Sequence, residues 1–165
     1  NLGFGQAGSL KAAKGNHCLI KLALEQNFRT HFWSAQSKQQ LRYITPYLCG
    51  DSVKDFRSLE DLDPEIADEN AASDLKLLGP LEGVLMSEGK DFILLHQRGS
   101  HSPWNLRYSP QMNRFQATAQ DDRRYHYDNS ILEFDRFWKE LDGLLQKSSK
   151  KILVVYVSDH GEATG

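Results

Sequence analysis

The sequence predicts an α/β fold built on a largely parallel central sheet. Three observations carry that expectation. Ile152 to Val157 is an unbroken run of six apolar residues rich in β-branched side chains, the pattern of a strand buried on both faces. Phe92-Ile93-Leu94-Leu95 is a second such run. Between them, Tyr127, Ile131, Phe134, Trp138, Leu141 and Leu145 recur at spacings of 4, 3, 4, 3 and 4, the stripe of an amphipathic helix of about five turns. Strand, helix and strand in that order form the crossover of a parallel sheet.

The earlier elements follow the same rhythm. Residues 1–15 hold four glycines and three alanines and read as a flexible segment. Leu19, Ile20, Ala23 and Leu24 lie at helical spacing within Asn16 to Gln26, with Asn16 as the cap. Phe28 to Trp33 suits a strand. Ser37 to Tyr43 starts a second helix that Pro46 would end or kink. Glu60 to Glu69 carries six acidic residues in ten. It lacks the spacing of a calcium-binding loop and reads as a solvated surface loop. Asp74 to Ser87 returns to helical spacing, with Pro80 opening its second part. Gly89-Lys90-Asp91 is a turn, and Trp104 to Ala119 is irregular. Lys147, Lys150 and Lys151 complement the dipole at the end of the long helix.

Composition bounds the function. A chain of 165 residues, 39% hydrophobic and 25% charged, is sized for one domain with a real core. A net charge of −2 points away from a nucleic-acid surface. No stretch approaches the ~20 apolar residues of a membrane span, and no signal peptide is visible. The two cysteines, Cys18 and Cys49, either pair or stay as buried thiols. The chain begins with Asn1 and stops three residues after Glu162, so it reads as a piece of a longer protein.

The chemistry gathers at strand ends. Asp159 and His160 follow the run 152–157, and open α/β sheets bind ligands just beyond the carboxyl ends of their strands. A carboxylate beside an imidazole suits zinc or a similar divalent ion. His101 follows the run 92–95 across a tight Gly99-Ser100 loop. In a crossover of parallel strands both groups reach one rim of the sheet. His96 reads as a satisfied core or supporting histidine, and His31 and His126 as surface or packing residues. Asp128-Asn129 begin the long helix and either play a structural role, capping it or bonding to the loop bearing His101, or contact substrate directly. Glu162 either orients a metal ligand or caps the following segment. Trp104 and Tyr108 either contact a lipid or sugar or pack within their loop.

The strings Leu94-Leu95-His96-Gln97-Arg98-Gly99-Ser100-His101-Ser102-Pro103, Arg107-Tyr108, Tyr127-Asp128-Asn129 and Val155-Tyr156-Val157-Ser158-Asp159-His160-Gly161-Glu162 resemble the phosphoethanolamine transferases. These are membrane-anchored, zinc-dependent enzymes of the alkaline phosphatase and sulfatase superfamily. The match in order and spacing runs from residue 92 to 162, and more loosely over 16–48.

The resemblance implies an alkaline-phosphatase-like α/β/α sandwich, present here only in part, with residues 1–165 as a partial periplasmic catalytic domain. It implies Asp159 and His160 as ligands of the catalytic zinc, or of another divalent ion. It implies that His101 holds the phosphate, protonates the leaving oxygen, or binds a second metal. The implied reaction moves phosphoethanolamine from phosphatidylethanolamine to a threonine upstream of Asn1. From there it passes to a lipid A, core-sugar or related glycan acceptor. The implied setting is the periplasmic face of the inner membrane of a Gram-negative bacterium. Ser102 stands where the family usually has glycine. The alternatives are a sulfatase, a phosphodiesterase or a phosphoglycerol transferase of the same superfamily, or a binding domain with a degenerate site. With two of about four metal ligands, the piece alone is expected to be inactive and to bind zinc weakly.

Overall fold

The computed structural model describes residues 18–48, 50–66, 73–117 and 123–161. The predicted flexible segment 1–15, the cap Asn16, Cys49 and Glu162 lie outside the described residues. The chain forms two compact units, residues 1–65 with 88–96, and residues 66–87 with 97–165.

The first unit holds the sheet. Helix α1 (Leu19–Glu25) buries Ile20 and Ala23. The chain leaves it through Asn27 at φ 63°, a left-handed conformation that asparagine tolerates better than most residues. Strand β1 (Arg29–Ser34) follows. It pairs in parallel with β2 (Asp55–Arg57) on one side and β3 (Asp91–His96) on the other, in the order β2-β1-β3. The central strand is covered on both faces: Thr30, Phe32, Trp33 and Ser34 are all buried. Phe32 stacks on Phe56 of β2, ring centroids 5.5 Å apart. β3, expected to be fully buried, is half-exposed along its length because it lies at the sheet edge.

Two expectations in this unit are corrected. Helix α2 (Lys38–Leu41), with Ser37 Oγ accepting the Gln40 N–H, already ends before Pro46. Pro46 instead sits in the first turn of a separate 3-10 turn, Thr45–Tyr47, where its missing N–H loses no hydrogen bond. The acidic stretch does not begin as a solvated loop. Leu59–Leu62 is a short helix, α3, with Leu59 fully buried. The Asp61 carboxylate accepts the Ser58 N–H (3.0 Å) and hydroxyl (2.8 Å), a helix-start pattern. Glu60 accepts the N–H of Lys38 at the start of α2. Cys18 is disulfide-bonded.

The second unit is helical. A 3-10 turn (Asp74–Leu77) runs into α4 (Leu78–Met86), and Gly79-Pro80 lies in the first turn of α4. Helix α5 (Arg124–Lys147) is longer than the apolar stripe predicted, and buries Asn129, Ser130, Phe137 and Leu141. Two 3-10 turns, Trp104–Leu106 and Pro110–Met112, interrupt the stretch expected to be irregular. Trp104 packs edge-on against Tyr127, ring centroids 5.6 Å apart. Of the three lysines assigned to the end of α5, Lys147 lies in its last turn. Lys150 donates instead to Val84 O of α4 (2.9 Å), neutralising a different helix C-terminus.

The segment 152–157 departs most from expectation. It has no regular secondary structure and belongs to no ladder among the described residues. It is exposed on both faces, Leu153 at 87% and Val157 at 78%. Its residues carry strong β-propensity, but propensity is local, whereas a strand also needs a neighbour's N–H and C=O groups. Tyr156 alone anchors it by ring contacts, to Phe134 and Trp138 of α5, both at 5.5 Å.

Candidate active site

Two short pieces of the second unit bring the predicted groups together. The first is the loop 97–103. Its turn passes through Gly99 at φ +56°, a conformation that suits glycine. The Asp74 carboxylate accepts both backbone N–H groups of this turn, Arg98 (2.8 Å) through Oδ1 and Gly99 (2.9 Å) through Oδ2. Burial pushes the Asp74 carboxyl above its ordinary range, against the two amide donors and the charges of Arg107 and Arg98. Buried Arg107 donates from Nε to the His101 carbonyl (3.0 Å). The His101 ring is exposed, and its Nδ1 donates to Ser102 O (2.6 Å). A carbonyl only accepts, so Nδ1 carries the proton and Nε2 the lone pair of the neutral ring.

The second piece is Ser158 to Gly161. Asp159 Oδ1 accepts the His160 N–H (3.0 Å), and Ser158 Oγ donates to His160 O (2.6 Å). His160 Nδ1 donates to Gly161 O (2.9 Å), which again places the neutral ring's lone pair on Nε2. That Nε2 lies 3.8 Å from Asp159 Oδ2, a spacing in which one cation could bind both atoms after small rotations. The His101 and His160 rings stand 6.1 Å apart, centroid to centroid, at 73°.

The donor chemistry of Asp159 and His160 suits zinc, one oxygen and one imidazole nitrogen. Among the described residues no three His, Cys, Asp or Glu side chains are grouped as metal ligands. The doublet therefore fits as part of a ligand set. A cavity of about 370 Å³ in the same unit is lined by Asp74, Arg98, Arg107, Tyr108, Glu133 and Phe137, among others.

The remaining predicted residues support their surroundings. His96 Nδ1 lies 2.8 Å from Ser34 Oγ, a satisfied histidine, though it is only partly buried at the end of β3. His126 Nδ1 meets the Tyr108 hydroxyl at 2.6 Å. Buried Asn129 accepts the N–H groups of Arg114 and Phe115 and donates to Asn113 Oδ1 and Phe115 O. It therefore braces residues 113–115 and not the His101 turn. His31 is neither on the surface nor a passive packing residue, since it sits buried between two carboxylates. Sequence reading missed Asp74 and Arg107. Asp74 looks like an ordinary helix-start residue, and its two amide partners lie 24 and 25 positions away.

The family described as Sulfatase matches residues 4–165. The chain is 32% identical over 117 residues to the phosphatidylethanolamine transferase Mcr-2 of Escherichia coli, covering 61% of this chain and 22% of that protein. It is 34% identical over 90 residues to the phosphoethanolamine transferase EptA of Salmonella typhimurium, covering 47% of this chain and 16% of that one. The chain thus spans at most 22% of either of these relatives. Among solved structures, the C-terminal periplasmic domain of EptC from Escherichia coli, in complex with zinc, superposes with a TM-score of 0.63 at 18% identity. That likeness covers 78% of this chain and 38% of that one. The soluble domain of lipooligosaccharide phosphoethanolamine transferase A from Neisseria meningitidis gives 0.59 at 23% identity, over 78% and 40%. Both likenesses support an alkaline-phosphatase-like α/β fold.

Proposed function

The chain belongs to the sulfatase family, and from that premise we propose that it is part of the catalytic domain of a phosphoethanolamine transferase. The observation that carries this reading is the 6.1 Å approach of His101 to His160, the ring that follows Asp159. It supports a site in which His101 would bind the phosphoryl group and the adjacent Asp159-His160 doublet would bind the metal. The curated relatives of the same name support it.

In this reading Asp159 and His160 hold zinc, with further ligands from outside the described residues. The bound metal supplies charge neutralisation at the phosphoryl oxygens and activation of a hydroxyl nucleophile. His101, in its protonated form, donates through Nε2 to a phosphoryl oxygen and passes that proton to the leaving alkoxide. The P–O bond to diacylglycerol breaks as a P–O bond to an enzyme threonine hydroxyl forms. In a second displacement the P–O bond to threonine breaks as an oxygen of the lipid or glycan acceptor bonds phosphorus, and the acceptor's hydroxyl proton returns to His101.

The proposed setting is a periplasmic catalytic domain anchored in the inner membrane. The disulfide at Cys18 supports an oxidising compartment. Among the described residues no helix is long and apolar enough to cross a membrane.

The test is transfer from a fluorescent phosphatidylethanolamine analogue by the full-length protein, run beside an aryl sulfate and a bis-aryl phosphate. Transfer that is abolished by chelation and strongly lowered, to a residual but measurable rate, by His101→Ala supports the reading. Sulfate release without transfer assigns a sulfatase, and diester cleavage without transfer assigns a phosphodiesterase.

A further inference from the structure

We infer that Asp74 and Arg107 are positioning residues for His101, fixing the backbone on both sides of the imidazole so that its ring keeps its place beside His160. The inference rests on the role proposed above for His101.

Each oxygen of Asp74 binds one amide of the turn that precedes His101, at 2.8 and 2.9 Å. Arg107 holds the carbonyl of His101 itself at 3.0 Å. The ring is then oriented by its own bond to Ser102 O. The turn's internal backbone bond, His101 N–H to Arg98 O, is long at 3.4 Å, so the side-chain clamps carry much of its definition. The residue types follow from the task. A carboxylate offers two acceptors to two parallel N–H groups, whereas an amide would turn an NH2 toward one of them. A guanidinium presents Nε–H in a fixed plane, which an ammonium does not. A ring on an exposed loop would otherwise wander by more than the ångström that phosphoryl transfer tolerates.

The test uses the zinc-loaded full-length protein and the same phosphatidylethanolamine analogue. Asp74→Asn and Arg107→Lys are made alone and together with His101→Ala. In the native background each lowers kcat/KM about 10- to 100-fold, and in the His101→Ala background each adds less than about 3-fold, because both act through the same ring. Equal losses in the two backgrounds, or native activity in the single variants, overturn the inference. A second readout needs no turnover: nitrogen-15 histidine spectra of His101. The Nδ1-protonated pattern of the wild type is lost or broadened in both variants, and an unchanged pattern overturns the inference. If His101→Ala retains full transfer, the functional reading fails while the spectra still decide the positioning. If Asp74→Asn does not fold, Arg107→Lys carries both readouts.

Discussion

His31 Nδ1 lies 3.0 Å from the Asp55 carboxylate, and the two residues face each other in register across β1 and β2. On its other side Nε2 lies 3.0 Å from Asp91 of β3. One buried imidazole thus joins all three strands. Arg29 binds Asp91 through two nitrogens, at 2.8 Å each, and Arg57 and Trp33 bind Asp55. His31→Ala should lower stability by about 2 kcal/mol, since it opens a buried space and removes one of the two hydrogen bonds at Asp55 Oδ2 and at Asp91 Oδ1, which keep Trp33 and Arg29. Urea unfolding checks this.

The same variant should move the Asp55 titration. Burial pushes that carboxyl up, but hydrogen bonds from His31, Arg57 and Trp33 outweigh it and hold it below its ordinary range. A lowered carboxyl contributes stability above its unfolded value of 3.8 that is lost as pH falls through the folded value. Without His31 the Asp55 titration should rise, as carboxyl-carbon NMR would show. An unmoved titration would deny His31 its share in the shift.

Asp61 gives a second pH dependence. The Ser58 N–H, then Lys38, hold its carboxyl at about 2 against an ordinary 3.8. Its contribution is therefore complete above pH 4 and disappears as pH falls toward 2. The side chain is 37% exposed, so solvent screening reduces the effect to about 1 kcal/mol. Asp61→Asn should be less stable than wild type by that amount at pH 7 and nearly equal to it at about pH 2.

Asn129→Ala removes two acceptor bonds and two donor bonds from a fully buried site. The expected loss is about 3 kcal/mol. Asn129→Asp keeps the two acceptor bonds but turns a carboxylate oxygen toward Phe115 O and Asn113 Oδ1, and should be no more stable than Asn129→Ala. Thermal unfolding of the two variants gives the comparison.

Asp159→Ala and His160→Ala should each weaken zinc binding by the full-length protein more than about 100-fold, beyond what residues behind the ligands usually contribute. Competition with a chromophoric chelator measures this. Equal affinity in the wild type and both variants would remove the doublet from the metal site.

Much of this arrangement was readable from side-chain pattern. The long helix is legible as a stripe of apolar residues, and strands β1 and β3 as apolar runs, whereas the three-residue β2 leaves no pattern and 152–157 pairs with nothing among the described residues. Asp159, His160 and His101 were readable as reactive types placed after apolar runs. The clamps were not. Asp74 binds a turn 24 residues on, and Arg107 binds a backbone carbonyl. Backbone partners leave no mark on residue spacing. His31 was misjudged for a related reason: its carboxylates come from two other strands, and register joins them. The segment 152–157 shows the opposite failure, because its residues advertised a ladder that needs a neighbour to form.

Ser148 donates to Leu85 O and Lys150 to Val84 O, both in the last turn of α4. The segment leading to His160 is therefore moored to carbonyls of that last turn, one of which, Val84 O, also accepts the N–H and hydroxyl of Ser87. Helix ends fray before helix middles. On warming, the two imidazoles should drift apart while the rest of the unit is still folded. The thermal tolerance of this site then depends on a helix end as well as on the ring contacts of Tyr156 with α5, and strengthening either should raise it.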